Sequence, residues 1–600
     1  MTSFLQRLKY RTILAAAFIF FAAAHLSAQE VAHSGTVAEN LLKVKVVFLP
    51  ENVAAANTSS STMDRVGVQA AQPLALSLNE AVQRALKNNN DIEMSRSDVR
   101  IAETTVRSRL GIYDPTFSFS PTLSHSQTTG GAGTNDLRTS AGLNQFIRPG
   151  GGSFNTFFNN NRTENAFAQA QASSGGLSGG SGAIYTSSLG VSYTQPLARN
   201  FNIDSKRYAI KIAKKQLAQS DSDFRSKAIN TIAATQRAYW NLVFALRDQQ
   251  NQSDNLELSR ENLRQIEARI AAGAAAPLDK AEVDTELATR EGNLLLATQQ
   301  VTVAENALKQ LIFGDPISPD WERSIVPTDK PAFSTDTVSL DAAMKDAMDN
   351  RFELRRLKLA REINAIDIKY LRNQTLPQID LNTQFSLNGL SQSGSSSAFT
   401  TNLFTSTGDL FLLNGINTTR SFVGLPVLAN PSFVVPASPA YLYGGFGRSL
   451  SNIFRSDAPN YSIGVTISFP FRNRTAKADL EAAKITSERL AAQTRSQEQA
   501  IIVDVRNAVQ AVETGRKRVL TARRARQSAE VQLDGERKLY EAGRSTTFLL
   551  FQRENALANA RTAEIRAETD YISAIEALQQ VTATTFRENN ITLDSPVEIK

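Results

Sequence analysis

Residues 463–471, IGVTISFPF, place large apolar side chains at the odd positions and small or polar residues at the even ones. A similar alternation occurs much earlier, in residues 189–197, LGVSYTQPL. A period of two predicts β-strands with one apolar and one polar face. Such strands are typical of membrane β-barrels, which meet lipid on one side and water on the other. For each strand alone, the edge of a soluble β-sandwich is the alternative.

The first 28 residues have the pattern of a secretory signal peptide. Arg7, Lys9 and Arg11 precede an apolar segment over 13–24 that is too short to span a bilayer as a helix, and Ala28 is the candidate last residue before cleavage. We therefore expect an exported mature protein.

The composition argues against several classes of function. The chain has no Cys, so it has no disulfide, thiolate metal site or Cys nucleophile. Its three histidines, His25, His33 and His125, lie in the signal peptide and in loop-like segments, which predicts no metal site and no cofactor. No P-loop is present, and no nucleophile–base pair stands out from surface Asp and Glu, so we expect no enzyme. The basic cluster within 516–526 lies on a predicted helix without a nucleic-acid-binding motif, which indicates a solvated face.

The chain contains two repeats, which start at Ser77 and Ser339 and align without a gap. Each repeat predicts a helix of about 35 residues, a strand, a Gly/Ser-rich excursion, a returning strand and a long helix. The predicted strands are 115–124 and 189–197 in the first repeat, and 377–387 and 461–471 in the second. The loops 125–188 and 388–460 are long enough to hold further hairpins.

Each returning strand leads into a long helix without Pro, over about 204–272 and 475–542. Apolar residues recur at heptad spacing, which favours coiled-coil packing. Each helix ends at a glycine, Gly273 or Gly543, where we expect a left-handed helix cap. Return helices follow from about 277 and 547.

Four strands cannot close a barrel. An open sheet edge in lipid leaves unpaired N–H and C=O groups that cost several kcal/mol each. The chain must therefore oligomerise, and two, three or four copies supply about eight, twelve or sixteen strands. The expected domains are a signal peptide (1–28), a flexible N-terminal extension (29–73), the first repeat (74–312), a linker (313–338), the second repeat (339–587) and a C-terminal tail (588–600).

Three kinds of segment resemble the TolC-like outer membrane efflux protein family: LSLNEAVQRALKNN at 76–89, TQRAYWNLVFA at 235–245, and the two glycine turns with their flanking helices. The resemblance covers about 76–587. It implies an α+β membrane protein that forms a trimer. The trimer would have one twelve-stranded outer-membrane β-barrel, about four strands per chain, continuous with a periplasmic α-helical coiled-coil tube.

The resemblance also implies a gate where helix tips are linked at the periplasmic end. Asp279 and Tyr540 match two family positions, and the family's Arg falls at Ser545, with Arg544 beside it. The family's acidic rings fall at Leu549 and Gln552, which leaves Glu554 and Glu541 as nearby acidic candidates. The alternative for Asp279 is a carboxylate at a helix start, favoured by the helix dipole.

The implied function is that of an outer membrane channel in a tripartite efflux or type I secretion system, which passively conducts substrates. The implied partners are two further copies of the chain, outer membrane lipid, an inner-membrane RND or ABC-type transporter, and a periplasmic adaptor that docks at the tips around Gly273 and Gly543. A structural or adhesive coiled-coil protein of the cell envelope is the alternative. It explains the helices and repeats but not the four strands.

Overall fold

The computed structural model describes residues 69–127, 129, 133–164, 182–274, 276–394 and 398–593. The predicted signal peptide, and residues 29–68 of the predicted extension, lie outside the described residues. The chain divides into two compact units. The helical unit comprises the described residues within Met1–Thr104, Lys215–Glu362 and Glu488–Lys600, and the sheet unit comprises those within Thr105–Lys214 and Ile363–Ser487.

The α-helices of the described residues are α1 (Leu78–Asn88), α2 (Asn90–Leu110), α3 (Ser205–Ala271), α4 (Pro277–Ile312), α5 (Leu340–Asn350), α6 (Phe352–Gln374), α7 (Thr407–Phe422), α8 (Phe446–Ile453), α9 (Arg474–Glu541), α10 (Thr547–Val581) and α11 (Thr585–Glu588). Four α-helices follow the same order in each repeat, and the second repeat has three additional ones, α7, α8 and α11. The predicted long helices are α3 and α9, with 67 and 68 residues. A straight helix of that length extends about 100 Å.

The helix predicted at the start of each repeat is broken in two. Asn89 separates α1 from α2 with an extended backbone, and its Oδ1 accepts hydrogen bonds from the backbone N–H groups of Asp91 and Ile92. An Asn side chain that caps the next helix competes with helix continuation. Arg351 separates α5 from α6 at the matching position of the second repeat, and its Nη2 donates a hydrogen bond to Asp504 at 2.7 Å.

The strands are β1 (Gln69–Leu76), β2 (Thr116–Ser126), β3 (Thr134–Phe146), β4 (Ser153–Glu164), β5 (Ala183–Pro196), β6 (Arg323–Pro327), β7 (Gln378–Gln392), β8 (Phe399–Asn402), β9 (Ser432–Val435) and β10 (Pro459–Ser468). Six of them form an antiparallel sheet in the order β10-β7-β5-β4-β3-β2. The predicted four strands are β2, β5, β7 and β10. The last strand ends at Ser468, two residues before Pro470, which has no N–H to donate to a ladder.

The estimate of about four strands per chain is corrected by the hairpin β3–β4, which lies within the loop predicted over 125–188. Its turn contains Gly150 and Gly151, both at φ +70°, a conformation that glycine adopts without steric cost. A loop of this length has room for a hairpin, so the four predicted strands are a minimum.

Alternation between two faces runs across part of the sheet, and it is lost in the row where Thr139, Asn160, Ser187 and Gly389 are paired. One lateral row of paired residues is Phe119, Ala141, Phe158, Leu189, Leu387 and Pro459. The adjacent row on the opposite face is Ser120, Ser140, Asn159, Ser188 and Asn388. We call these the apolar face and the polar face.

Among the buried clusters of the helical unit, two lie mainly in one repeat each. In the first, Tyr239 and Trp240 of α3 pack with Leu76 and Ile325. These last two belong to β1 and β6, which pair in parallel, so residues 69–73 begin a strand where the sequence suggested a flexible extension. In the second, the heptad residues Val505, Val512 and Val519 of α9 are buried against Tyr571 of α10.

Among the described residues, we find no helix with the length and apolar character needed to cross a membrane.

Candidate functional site

The two predicted tip turns have the same geometry. Gly273 and Gly543 have φ values of +74° and +72°. After each glycine, the next backbone N–H donates to a carbonyl five residues back: Ala274 to Arg269 and Arg544 to Leu539, both at 2.8 Å. This is the hydrogen-bond pattern of a Schellman cap, in which the left-handed residue ends the helix. Both long helices therefore end where the sequence places their glycines.

Asp279 lies in the first turn of α4. Its Oδ2 accepts a hydrogen bond from the backbone N–H of Ala276 at 3.1 Å, and the residue is half-buried. A carboxylate at this position satisfies an otherwise unpaired N–H and interacts favourably with the helix dipole. The local contact of Asp279 is thus that of a helix-start carboxylate.

Tyr540 connects the ends of the two long helices. The Arg269 guanidinium of α3 lies 4.7 Å from the centroid of the Tyr540 ring, which is a cation–π contact. Arg544 is exposed immediately after the second tip. Ser545, at the position of the family's Arg, donates a hydrogen bond to Glu536.

The three gate candidates do not bond to one another within one chain. In the part of the chain that the structure describes, no hydrogen bond or ion pair joins Asp279 to Tyr540 or Arg544. Sequence reasoning missed Arg269, which stacks on Tyr540. The sequence does contain a signal for this contact, because Arg269 lies four residues before the turn glycine Gly273 and Tyr540 lies three residues before the turn glycine Gly543.

Glu554 is buried in an ion pair and does not form an exposed acidic ring within the chain. Glu554 is 2% exposed and Arg290 is 1% exposed. The Oε2 atom of Glu554 accepts a hydrogen bond from Nη2 of Arg290 at 3.1 Å. Asn262 also donates to this carboxylate at 3.2 Å. Arg290 donates from Nε to Glu286 at 2.8 Å and from Nη1 to the carbonyl of Asn255 at 3.0 Å.

This cluster connects α3, α4 and α10, with the single cation Arg290 shared by the carboxylates of Glu286 and Glu554. The expectation that Glu554 is a candidate for an acidic constriction is therefore corrected: its carboxylate neutralises Arg290 between helices. Burying one charge without a partner would be strongly destabilising. The sequence signal that was overlooked is Glu286, four residues before Arg290 on one helix.

The Tyr239–Trp240 pair of the 235–245 motif joins parts that are distant in sequence. The Tyr239 hydroxyl donates to Asp329 Oδ2 at 2.6 Å and lies 3.1 Å from the carbonyl oxygen of Leu76. Trp240 Nε1 donates to Glu576 Oε1 of α10 at 2.7 Å. Burial raises the pKa of Glu576 to about 8. The motif thus ties the first repeat to the linker and to the last long return helix.

The described residues hold no cluster of His, Asp and Glu arranged for a metal ion. His125, the one histidine within them, is at the end of β2, and its Nδ1 lies 2.7 Å from Oδ1 of Asn135 on β3.

A model of the family described as outer membrane efflux protein matches residues 158–312 and 441–584, about half of the chain. The matched segments contain the two returning strands, both long helices and both tip turns. No curated protein matches.

Several solved structures share the fold. The chain is similar to the outer membrane protein VceC from Vibrio cholerae, with 15% identity, a TM-score of 0.55, and coverage of 84% of this chain and 95% of that one. For the CmeC outer membrane channel of Campylobacter jejuni the identity is 14%, the TM-score 0.55 and the coverage 92% and 98%. For the open state of the MtrE outer membrane channel of Neisseria gonorrhoeae they are 15%, 0.55, and 90% and 98%.

The solved structures have the same arrangement of two repeats, and they support the fold alone at these identities. The family match carries the assignment and agrees with the predicted location in the outer membrane, with the long helices in the periplasm. This chain is therefore a member of the TolC-like outer membrane efflux protein family.

Proposed function

We propose that the protein is the outer membrane channel of a tripartite efflux or type I secretion system. It conducts passively the substrates that an inner-membrane RND or ABC-type transporter delivers through a periplasmic adaptor. The chain forms a homotrimer whose sheets close into one barrel in outer membrane lipid. The long helices of the three chains form a tube in the periplasm.

The observation that carries this proposal is the two-faced sheet. Its apolar face contains Phe117, Phe119, Leu143, Phe385 and Ile463, and its polar face is rich in Ser, Thr and Asn. A sheet that is apolar on one face and polar on the other suits a wall between lipid and a water-filled lumen. The edge strands have unpaired backbone groups, so the wall is complete only in an oligomer.

The number of chains tests the proposal. The mass of the detergent-solubilised protein is expected to correspond to three chains. A stable monomer would exclude a shared barrel. The alternative, a structural or adhesive coiled-coil protein, needs no lipid-facing sheet. It would stay in solution without detergent, whereas the proposed channel is expected to aggregate when detergent is removed.

The tips at Gly273 and Gly543 are the proposed docking site for the adaptor. Apolar side chains are exposed beside both turns: Leu278 is 79% and Phe548 61% exposed. We propose that these exposed side chains contact the adaptor. Replacing each with Asp is expected to abolish cross-linking to the adaptor without changing the mass of the oligomer.

The gate is proposed to consist of Asp279, Tyr540 and Arg544, linked between neighbouring chains. Partly exposed links of this kind contribute about 0.2–1 kcal/mol each, and threefold symmetry repeats each one. Adaptor binding is sufficient to overcome such a latch. The Arg269 contact holds the Tyr540 ring in place while its hydroxyl is free to bond across the tip.

Single-channel conductance in planar bilayers tests the gate. Asp279→Ala, and separately Tyr540→Phe combined with Arg544→Ser, are expected to raise the conductance. The control is Lys538→Ala, which removes an exposed ion pair to Asp534 on the same helix and should leave the conductance unchanged. If neither gate variant changes the conductance, the closure lies elsewhere and Asp279 serves only its helix.

A further inference from the structure

The hairpin β3–β4 is built into the sheet along its whole length. β3 pairs with β2 from Thr134 to Asn144, and β4 pairs with β5 from Ser153 to Glu164. The two hairpin strands pair with each other from Asn135 to Phe146. Consequently β2, which follows the first helices, and β5, which leads into α3, are separated by two strands and share no backbone hydrogen bonds.

The hairpin strands keep the alternation of the strands around them only in part, because Asn160 and Arg162 of β4 lie on the same face as Phe158. Ala141 and Leu143 of β3 lie on the apolar face, as does Phe158 of β4. Ser140 and Asn159 lie on the polar face. A hairpin that lay outside the sheet would not need to place its apolar side chains on the same face as the neighbouring strands. The continuous pairing of β3 with β2 and of β4 with β5 therefore makes the hairpin part of the wall, with apolar residues on one face near Ala141 and Phe158.

The sheet ends in two strands that fit each other. β2 and β10 are exposed along their full lengths of 11 and 10 residues. Each of the five neighbouring pairs in the sheet is antiparallel, so β2 and β10 run in opposite directions. If copies are related by rotation about a barrel axis, β10 of one chain and β2 of the next meet as an antiparallel pair. Both edges present apolar residues on the same face, including Phe119 and Ile463.

We propose that the barrel has eighteen strands, six from each chain, and that it closes through β10 of one copy and β2 of the next. This inference rests on the trimer of the proposed function and replaces the twelve strands implied by the family resemblance. Barrel diameter grows roughly linearly with strand number, so the diameter is about 1.5 times that of a twelve-stranded barrel. Barrels of 16–18 strands leave an aqueous channel. The outer end of this protein is therefore a wide, water-filled opening suited to large hydrated solutes.

Introduced cysteine pairs test the arrangement, because the natural chain has no Cys. Ser120, Ser140, Asn159 and Ser188 are successive partners in one polar row. Adjacent strands lie about 4.8 Å apart, so Ser120 and Ser188 are separated by roughly 14 Å, beyond the ~7 Å that a disulfide spans between Cα atoms.

In the full-length protein in lipid, the neighbouring pairs Ser120→Cys/Ser140→Cys and Asn159→Cys/Ser188→Cys are expected to form disulfides within one chain. Ser120→Cys/Ser188→Cys is the matched non-adjacent pair and is expected to remain reduced. A disulfide between positions 120 and 188 would place β2 directly beside β5 and overturn the eighteen-stranded barrel in favour of twelve strands.

Closure between copies is tested with Ser120→Cys of β2 combined, one at a time, with Ser462→Cys, Gly464→Cys or Thr466→Cys of β10. At least one combination is expected to give disulfide-linked dimers and trimers. Ser140→Cys of β3 with the same β10 positions is the control and should give none. Linkage through β3, or none through β2, would overturn the proposed closure. The chain count from detergent-solubilised mass is independent, so a non-trimeric mass refutes the proposed function, and cross-links at the wrong strands refute this inference alone.

Discussion

The substitution Glu554→Gln distinguishes a carboxylate that holds helices together from one that attracts cations in a pore. Glu554 and Arg290 are almost fully buried, and the carboxylate also accepts from Asn262. Breaking a buried ion pair costs about 3–5 kcal/mol because one charge remains uncompensated. Arg290 keeps its second partner, Glu286, at 2.8 Å. We therefore expect a loss at the low end of that range, about 3 kcal/mol.

The assay is thermal and denaturant unfolding followed by helical circular dichroism, together with cation-over-anion selectivity in planar bilayers. Glu554→Gln is expected to lower the melting temperature and to leave selectivity unchanged. The matched control Asp534→Asn removes an exposed ion pair with Lys538, which contributes little to stability because solvent screens it. Replacing both Glu554 and Arg290 with Leu is expected to restore most of the stability, since an apolar pair of similar volume leaves no buried charge. Unchanged stability with reduced cation selectivity would refute the buried-pair account.

Three further changes have defined outcomes. On β10, Val465→Lys introduces a charge on the apolar face and is expected to disfavour assembly of the oligomer by about 2–4 kcal/mol, while Thr466→Lys on the polar face assembles normally. Equal assembly of the two variants would contradict the assignment of the apolar face to lipid. Because burial raises the pKa of Glu576 from 4.5 to about 8, the folded protein holds a proton that the unfolded chain has released, so stability should fall as the pH rises between these values. Glu576→Gln should flatten this dependence in unfolding measurements, and an unchanged slope would assign it to other groups. A Cβ at Gly515 would lie 3.2 Å from the Cα of Tyr571 on the facing return helix, so Gly515→Ala is expected to destabilise the protein by about 1–3 kcal/mol. A Cβ at Gly535, on the same helix as Gly515, meets nothing within 4 Å, so Gly535→Ala should stabilise the protein by up to about 1 kcal/mol. Effects of the same sign for both variants would contradict the close helix packing at Gly515.

The sequence predicted features that depend on local pattern. Alternation at period two located β5 and β10, and heptad spacing located the buried Val505 and Val512. Gly543 marked a helix end because its left-handed backbone is a local requirement. These signals depend on neighbouring residues and do not require knowledge of tertiary contacts.

Features that depend on distant contacts were not predicted. The break at Asn89 combines a local cap with a hydrogen bond from Nδ2 to the carbonyl of Leu311, 222 residues away. The length of the loop 125–188 left room for the hairpin β3–β4, but its polar, Asn-rich strand β4 is located only by its pairing with β5. At the candidate site, Glu554 looked like a free acidic residue because Arg290, its partner, lies 264 positions earlier in the chain. A single sequence gives little indication that two charged residues so far apart in the chain form a buried ion pair.

Whether the protein conducts ions as a closed oligomeric pore is the most direct test of the central claim, and single-channel recording in planar bilayers measures it. Purified trimer added to a bilayer is expected to produce discrete current steps of uniform size, since each insertion adds one water-filled barrel lined by the polar face of the sheet. The gate variant Asp279→Ala is expected to increase the size of each step. A protein that inserts into the bilayer as a trimer but produces no current steps, in the native form or in the gate variants, would contradict the proposal that this chain is an outer membrane channel.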